Sequence, residues 1–591
     1  MQRYTFKNIL HEALKHKKYI IIAHIIAIFS VIISLPIPMM IPLLIDEILL
    51  DKPGYMLEIM HSIFNEQKSS YFYIFIILVS VIFLRAVGLA LTVLQKWYFT
   101  NISKDIIFNI QKSLLHHISK SELSEYENFG GGKIASLLIV DVGTLDGFIG
   151  GSISNFIISS LTIIGISATL LYLNWQLGLF IIIFLPIIAF IGNKIGRRVG
   201  KLRKIENKNV ALFQESLAEN MDLYWQIKAS NQEDIFINRL ISQAEEIKKS
   251  AINFSYQSQA ANLFSYFLFL MAFEIFRASG ILLVEYSDLT IGVMLAIFGY
   301  LWVIMAPINS VINIQYSYFS AKAALERINE IFDMKLEPKF EHKKNPFRNT
   351  NTNKVEIKNL SFEYEKGKSS LKNINMKFKK GSKVAVVGET GSGKTTLAQL
   401  LVGFYQPQQG EILYDDINYD QIGLDVIREN VFLVLQSPML FNNSIRFNLT
   451  LGKEVDGDLL AKAIQVSQLQ SLIDSLDKKV DTVIGKNGVK LSGGQRQRLS
   501  IARMVIANPN VVILDESTSS LDVNTEHTLF EELSSFLRDR TTIIIAHRLS
   551  TIEKADYIYV LDNGEVIEEG EHQSLLAQNG QFADFFNRSK G

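Results

Sequence analysis

Six long apolar stretches in the first half of the chain constrain its fold more than any other feature. A helix needs about 20 mostly apolar residues to cross the hydrocarbon core of a bilayer. Because backbone polar groups in lipid must pair within the segment itself, we predict helices here rather than strands. The six predicted membrane helices lie at about Tyr19–Leu44, Tyr71–Val93, Ile153–Leu173, Leu177–Ile195, Leu263–Val284 and Leu289–Ile312.

Basic residues set the predicted orientation of these helices, because lysine and arginine concentrate in cytoplasmic loops. Two basic clusters precede the first helix and follow the fourth, at Arg3, Lys7, Lys15, Lys17 and Lys18, and at Lys194, Arg197, Arg198, Lys201, Arg203 and Lys204. The short loops after the third and fifth helices contain no basic residue. We therefore predict that both termini are cytoplasmic, and that the first apolar stretch, too long for a signal-peptide core, is a retained helix.

The two loops on the cytoplasmic side are long, about 60 residues each, at Leu94–Ser152 and Gly196–Asn262. Both have a helical pattern with charges among apolar positions. A helix rises about 1.5 Å per residue, so 20–25 further residues extend it by roughly 30–40 Å. We predict cytoplasmic stalks, each interrupted near its middle, at Ser121–Gly132 and at Asn220–Lys228.

Composition divides the chain into domains and excludes several classes of function. We predict a membrane domain over 1–330, a polar linker over 331–354 and an α/β domain over 355–591, where strands and helices alternate. The chain has no cysteine, which excludes disulfides, thiolate metal sites and cysteine nucleophiles. Its formal net charge of +0 gives no reason to expect nucleic acid as a partner.

A glycine-rich segment in the second half predicts phosphate binding. The short apolar strand Val384–Val387 leads directly into the loop Gly388–Thr395, and a helix follows. Glycines let backbone N–H groups turn onto phosphates, and a helix N-terminus adds partial positive charge. We predict that Lys394 reaches the β- and γ-phosphates of a nucleotide and that Thr395 binds Mg²⁺. The alternative is a glycine turn without function. The candidate nucleotide ligands are Gly388, Glu389, Thr390, Gly391, Ser392, Gly393, Lys394, Thr395 and Thr396.

An acidic pair ends another buried strand. Val511–Leu514 is a continuous apolar run, typical of a parallel strand covered on both faces, and Asp515 and Glu516 follow it. We predict that Asp515 holds Mg²⁺ and that Glu516 polarises the attacking water, which is worth about 10²–10⁴ in rate. The alternative is a solvated acidic turn, which the upstream phosphate loop in the same domain disfavours.

The segment Leu491–Arg498 indicates a second anion-binding helix terminus. A serine and two glycines open this helix, as at the phosphate loop. One nucleotide does not need two such anion-binding helix N-termini, here called cradles, from one chain. We therefore predict a dimer in which the second cradle of each chain closes the phosphate loop of the other.

These motifs together resemble an ATP-binding cassette (ABC) exporter half-transporter, with the membrane domain first and the nucleotide-binding domain second. The resemblance covers nearly the whole chain. It implies a six-span helical membrane domain with long cytoplasmic stalks, an α/β P-loop NTPase domain, ATP and Mg²⁺ as cofactors, and a bacterial-type cytoplasmic (inner) membrane. The family signature that contacts the partner's ATP corresponds to Leu491, Ser492, Gly493, Gly494 and Gln495.

The resemblance assigns four further residues. Tyr364 would stack on adenine, and Gln436 would contact Mg²⁺ beside Thr395 and Asp515. Asp522 would belong to the D-loop, and His547 would contact the γ-phosphate as a second catalytic residue. The alternatives are a packing aromatic for Tyr364, a polar strand end for Gln436 and a surface histidine for His547.

The chain departs from the family pattern at two positions. Ser520 stands where alanine is commoner in the D-loop. Lys486 stands where exporters usually have a glutamate that contacts the stalks, which puts that salt bridge in doubt but not ATP hydrolysis. The resemblance also implies that the two stalk interruptions are coupling helices, with Tyr126, Phe129, Tyr224 and Trp225 as docking residues or, alternatively, ordinary packing aromatics.

Charged residues within the apolar windows are the candidate cargo contacts, because they are costly in lipid and usually functional. Arg85 lies in the second window, and Glu274 and Arg277 share one face of the fifth. Trp302, with Phe298 and Tyr300, adds aromatic surface in the sixth. The alternatives are an internal ion pair that only orients helices, and aromatic packing.

Short fragments favour a particular kind of cargo. The stretches Ile82–Arg85, Asn174–Leu177 and Asp481–Gly485 resemble bacterial exporters of lipid A, lipids and drugs. We expect ATP-dependent export or flipping of a lipid-like or drug-like amphiphile by a homodimer in the bilayer. Alternatives left open are a peptide or glycolipid cargo, a heterodimer, an importer, and an ATP-gated channel or regulator.

Overall fold

The computed structural model describes residues 3–52, 54, 58, 62, 69–340, 342–365, 368–485, 488–516, 523–546 and 552–590. The chain divides into two compact units. The first comprises Met1–Ser119 and Phe129–Met334, and the second comprises Lys120–Asn128 and Lys335–Gly591. The short segment inside the first stalk region therefore belongs with the second unit.

The first unit is entirely helical in the part of the chain that the structure describes. Its helices are α1 (Phe6–Lys15), α2 (Lys17–Ser34), α3 (Pro36–Pro42), α4 (Ser70–Ile118), α5 (Leu123–Phe129, shared with the second unit), α6 (Gly131–Ser136), α7 (Val142–Asp146), α8 (Ile153–Leu173), α9 (Trp175–Asp222), α10 (Tyr224–Ala229), α11 (Glu233–Tyr286) and α12 (Ile291–Phe332). Three π-helical turns continue α3, α6 and α7, at Leu43–Leu49, Leu137–Asp141 and Gly147–Ser152.

The six predicted apolar windows are helical except at Leu35, in the first, and at Leu289 and Thr290, which precede α12. Among the described residues, five helical stretches are long and apolar enough to cross a membrane: Lys17–Leu49, Ser70–Ile118, Gly131–Leu173, Glu233–Tyr286 and Ile291–Phe332. The remaining window, Leu177–Ile195, lies within α9, which has 48 residues. Helices of 48 to 54 residues, such as α4, α9 and α11, are far longer than a span requires. The predicted stalks are therefore continuations of the membrane helices.

The core of the first unit is formed by stripes of apolar residues. On α4 the buried positions include Ile102, Ile106 and Ile110, and on α12 they include Ala321 and Ile328. This spacing of four or seven residues places each set on one helix face. The same face of α12 stays buried to its end at Phe332, so this portion of the helix is stabilised by packing.

The second unit contains two β-sheets. Its strands are β1 (Val355–Glu365), β2 (Lys368–Phe378), β3 (Lys383–Gly388), β4 (Gln409–Tyr414), β5 (Ile417–Asn418), β6 (Val431–Val434), β7 (Val511–Asp515), β8 (Thr541–Ile545), β9 (Tyr557–Asp562) and β10 (Glu565–Gly570). One antiparallel sheet has the order β2-β1-β4-β5. The other has the order β10-β9-β3-β8-β7-β6 and is parallel except for the β10–β9 pair.

The second unit also contains helices, and parallel sheets are usually covered by helices on both faces. The helices are α13 (Lys394–Leu401), α14 (Leu424–Asn430), α15 (Ile445–Thr450), α16 (Gly457–Val466), α17 (Gln470–Asp474), α18 (Gly493–Ala507), α19 (Val523–Leu537), α20 (His572–Ala577) and α21 (Gln581–Lys590). Strand β3 contributes to two cores, because Val384 and Val386 pack into one apolar cluster and Ala385 and Val387 into the other. The loops at the carboxyl ends of β3, β7 and β8 therefore meet at one edge of the sheet.

The stretch predicted as a linker is packed against the second unit over its later part. Phe347 is buried and its ring centroid lies 5.5 Å from that of Tyr414. The Asn353 side chain is fully buried, donates to Asp415 Oδ2 at 2.9 Å and accepts from Asn510 Nδ2 at 2.8 Å. These contacts fix the chain where it enters β1.

Candidate nucleotide and cargo sites

The glycine-rich loop between β3 and α13 approaches β2 closely. Gly393, the last residue before α13, has a φ of 102°, in the left-handed region. A Cβ there would lie 2.6 Å from Leu371 Cδ2 and 2.7 Å from the Ser370 carbonyl oxygen. Only glycine satisfies both conditions, so the loop turns tightly and the first N–H groups of α13 face its interior.

Lys394, the first residue of α13, points into this loop. Its Nζ donates to the carbonyl oxygens of Gly388 at 2.9 Å and Glu389 at 2.8 Å. The side chain is only 6% exposed, and burial lowers the pKa of its ammonium group. The ammonium group also donates to Ser392 Oγ at 3.4 Å. An ammonium group held by these neutral dipoles in a buried loop can exchange them for phosphate oxygens.

Asp515, at the end of β7, lies beside the start of α13. Its carboxylate is buried, and this burial raises its pKa, while a hydrogen bond with the Thr395 side chain opposes the rise. The predicted Mg²⁺ residues Thr395 and Asp515 are thus brought together. Their hydroxyl and carboxylate oxygens are hard ligands of the kind that Mg²⁺ prefers.

Glu516 has a strained backbone. Its φ is 43°, which is uncommon for any residue except glycine. Its N–H donates to the Ile545 carbonyl oxygen of the neighbouring strand at 3.2 Å, and its carboxylate accepts a hydrogen bond from Gln436 Nε2. Strain of this kind is typical of functional sites, where surrounding contacts fix the conformation. The structure brings Gln436, Glu516, Asp515 and Lys394 to one sheet edge.

The second predicted cradle, at the start of α18, has a different environment. Ser492 is the N-cap of this helix: its Oγ accepts from the Gln495 N–H at 3.2 Å, and its own N–H donates to Gln495 Oε1 at 2.9 Å. Ser492 is exposed. Within the described part of the chain, its hydroxyl has only this local partner, so the cradle faces solvent.

The predicted adenine-stacking residue, Tyr364, is half-exposed, and hydrogen bonds hold its hydroxyl group in place. Its hydroxyl donates to Gln399 Oε1 at 2.8 Å and accepts from Thr396 Oγ1 at 3.2 Å, and burial raises the pKa of the phenol. Its ring meets that of Tyr405 edge-on at 5.2 Å. The ring is thus fixed in orientation, as a stacking surface requires.

Sequence reasoning missed a contact next to this ring. The hydroxyl of Tyr405 donates to Glu127 of α5, the short helix in the first stalk interruption. This segment also bonds to the start of the linker, where Glu122 N–H donates to Lys335 O at 2.9 Å and Glu337 N–H donates to Lys120 O at 2.8 Å. No local pattern in the sequence signals contacts over such separations.

Several predicted residues lie outside the described residues. These are Lys486, Ser520 and Asp522 of the D-loop, and His547. Their roles stay predictions.

The predicted docking residues differ in exposure. Trp225 of α10 is 85% exposed, and Tyr126 and Tyr224 are about half-exposed. Phe129 instead packs against the core of the first unit, with Lys133 Nζ 4.2 Å from its ring centroid. Phe129 therefore has the alternative role, as a packing aromatic, while the others present free apolar surface.

The predicted cargo residues in the membrane helices also differ in their surroundings. Arg85 is exposed on α4 and has no hydrogen-bond or ion-pair partner among the residues that the structure describes. Glu274 and Arg277 form an ion pair on α11. Trp302 is half-exposed against Phe269 and Phe273, whereas Phe298 and Tyr300 are buried packing residues.

Comparison with protein families gives two matches. The family described as ABC transporter matches residues 371–519, and the family described as ABC transporter transmembrane region matches residues 20–308. Together they include the six predicted apolar windows, nearly in full, and the P-loop, Asp515 and Glu516.

The chain is similar to an ATP-dependent lipid A-core flippase of Alcanivorax borkumensis, with 32% identity over 78% of this chain and 79% of that protein. It is 29% identical, over 98% of its length and 94% of the other, to an uncharacterized ABC transporter ATP-binding protein, YfiC, of Bacillus subtilis. Its fold resembles that of a bacterial Atm1-family ABC exporter solved with ATP bound, with a TM-score of 0.80, 23% identity, and coverage of 97% and 98%.

Proposed function

Because this chain belongs to the ABC transporter family, as an exporter half-transporter that couples ATP hydrolysis to transport, we propose that it moves an anionic, lipid-like amphiphile across the cytoplasmic membrane as a homodimer. It is a multi-pass membrane protein with one helical membrane domain and one ATP-binding domain. The cargo, the identity of the partner chain and the cytoplasmic position of both termini are the proposed parts.

The observation that carries the cargo proposal is the environment of Arg85. Leu78, Ile82 and Leu89 follow one stripe of α4 with it and are all exposed. An arginine without a counter-ion is costly at membrane depth, by about 2.5–3.5 kcal/mol or more. An anionic head group would remove this cost while its acyl chains cover the apolar stripe. Glu274 and Arg277 neutralise each other and add no net charge.

Reconstituted vesicles test this cargo. We expect ATP-dependent flipping of fluorescent phosphatidylglycerol in preference to phosphatidylcholine, measured by quenching of the outer leaflet. Arg85→Ala should lower the rate for the anionic lipid about tenfold, and Arg85→Lys should retain most of it, because losing a charged contact costs about 1.5–3 kcal/mol.

An unchanged lipid preference in Arg85→Ala would exclude the anionic head-group proposal. ATP-dependent uptake of a cationic dye without lipid flipping would instead indicate a drug-like cargo. Passive, ATP-gated flux of either probe would indicate a channel.

The dimer proposal is supported by the exposed cradle at Ser492. Among the described residues, its own chain supplies only the local cap, so a nucleotide on the P-loop of a second copy is a suitable occupant. In such a sandwich, Lys394 would bind phosphate oxygens, and Glu516 would orient the attacking water. Mg²⁺ would be held by Thr395, Asp515 and Gln436 and would neutralise phosphate charge.

Subunit association on nucleotide binding tests this arrangement. In the Glu516→Gln variant, ATP with Mg²⁺ should trap a dimer of the ATP-binding domains, detected by spin-label distances at an introduced cysteine. The chain has no native cysteine, so one substitution gives one label per copy. Full ATP turnover by a single copy isolated in a nanodisc would contradict the proposal.

A further inference from the structure

Gln497 is a buried polar residue for which the nucleotide chemistry above has no role. It lies on α18, four residues after Gly493, and so on the same helix face as the start of the Ser492 cradle. Its side chain is only 3% exposed. Burying an amide without partners is costly, so the contacts of this side chain are structurally specified.

The Gln497 amide contacts the residue that holds the acidic pair. Its Nε2 donates to the main-chain carbonyl oxygen of Gln436 at 3.1 Å. The side chain of Gln436 in turn donates to the carboxylate of Glu516. Two successive hydrogen bonds therefore connect the second turn of α18 with the carboxylate of Glu516, which follows β7.

We propose that Gln497 is a positioning residue that holds Gln436 over Glu516 of its own chain. Through this link, a displacement of α18 by the partner's nucleotide would reposition the catalytic carboxylate of the same chain. The inference rests on the proposed dimer. It adds that the two nucleotide sites communicate through one buried glutamine in each subunit.

Mixed dimers with a single active site test this proposal separately from the dimer itself. Two differently tagged copies are co-expressed, and one carries Glu516→Gln, so that only the other copy can hydrolyse ATP. Gln497→Met is then placed either on the copy with the intact Glu516 or on its partner. Steady-state ATPase gives kcat and KM for ATP for each arrangement.

With Gln497→Met beside the intact Glu516, we expect kcat to fall about fivefold to tenfold and KM to change less than twofold, as for the loss of one positioning hydrogen bond. On the partner copy it should change kcat less than twofold. Gln497→Glu, which keeps the shape but replaces the amide donor by a carboxylate, should lower kcat at least as much as Gln497→Met.

Arg503→Met is the matched control, because Arg503 Nη1 donates to the Met439 carbonyl oxygen at 3.2 Å, also from α18 to a main-chain oxygen. It should change kcat less than twofold in both arrangements. Equal losses from the two Gln497 placements, no loss from either, or an equal loss in Arg503→Met would overturn the proposal. Ser492→Ala tests the dimer independently, since its larger loss should come from the partner copy, whose cradle contacts the nucleotide that is hydrolysed.

Discussion

Two helix N-termini in the ATP-binding domain have similar glycine-rich sequences but different surroundings. At α13, the Lys394 ammonium group is buried and bound to loop carbonyls, and Thr395 bonds with Asp515. At α18, Ser492 is exposed, and its hydroxyl bonds only with the Gln495 N–H in the described part of the chain. Within the described part of the chain, the first cradle is thus bonded to loop carbonyls and lies beside the acidic end of β7, whereas the hydroxyl of the second is bonded only within its own cap. This difference motivates the proposal that the first cradle binds a nucleotide of its own chain and the second a nucleotide of the partner.

The largest expected effect is a loss of ATP hydrolysis at the first cradle without a comparable loss of ATP binding. Glu516→Gln should lower ATP turnover by about 10²–10⁴, because a positioned base contributes that much. ATP binding should stay within about threefold, since Lys394 and the loop are unchanged. ATPase rates and equilibrium binding of a fluorescent ATP analogue provide the measurements, and turnover within threefold of wild type would refute the assigned base.

A smaller effect is expected at the second cradle. Ser492→Ala removes a hydroxyl that would bond a phosphate, so turnover should fall about tenfold to a hundredfold. Binding to the P-loop of the same copy should not change when measured on single copies in nanodiscs. If single-copy binding weakened as much as turnover, the two cradles would serve one nucleotide, and the comparison would fail.

At the first cradle, a side chain does not fit at Gly393. Gly393→Ala should destabilise the nucleotide-free protein by about 1–3 kcal/mol, because the new Cβ meets Leu371 and Ser370 and the φ is left-handed. Gly391→Ala is the matched control: its φ is 88°, but a Cβ there meets nothing within 4 Å. Thermal unfolding should rank Gly393→Ala clearly below Gly391→Ala, and equal midpoints would show that strain alone matters.

The smallest expected effect is a gain in stability. Burial raises the pKa of Asp515, so its charge is unfavourable in the folded, nucleotide-free protein. Asp515→Asn should raise the unfolding midpoint by a few degrees at neutral pH. The gain should disappear as pH falls through the raised folded pKa towards the ordinary value, where both side chains are neutral. A lower midpoint at pH 7 would mean that loss of the Thr395 contact outweighs the charge.

Much of this architecture was predictable from local patterns. The apolar windows predicted segments that are helical over almost their whole length, and charges mixed with apolar residues beyond Val93 predicted the continuation of α4 to Ile118. The P-loop was predictable because its strand, glycines and helix are contiguous. Each of these signals lies within about 20 residues of sequence.

The missed features depend on residues far apart in the chain. Gln497 and Gln436 are separated by 61 positions, and Tyr405 and Glu127 by 278. Their side chains have no periodicity or spacing that predicts the pairing, because the pairing results from the packing of whole elements. The aromatic docking residues show the same limit: Phe129 and Trp225 looked alike in sequence, and only burial separates them.

The left-handed backbone at Glu516 has a consequence for evolution in the laboratory. Glycine would relieve roughly 1 kcal/mol of conformational strain at this position, yet it has no carboxylate. A library selected only for heat resistance should therefore enrich Glu516→Gly, whereas one selected for growth that depends on transport should keep glutamate. Sequencing codon 516 after each selection would show whether glycine or glutamate is enriched, and so whether stability or ATP turnover determined the outcome.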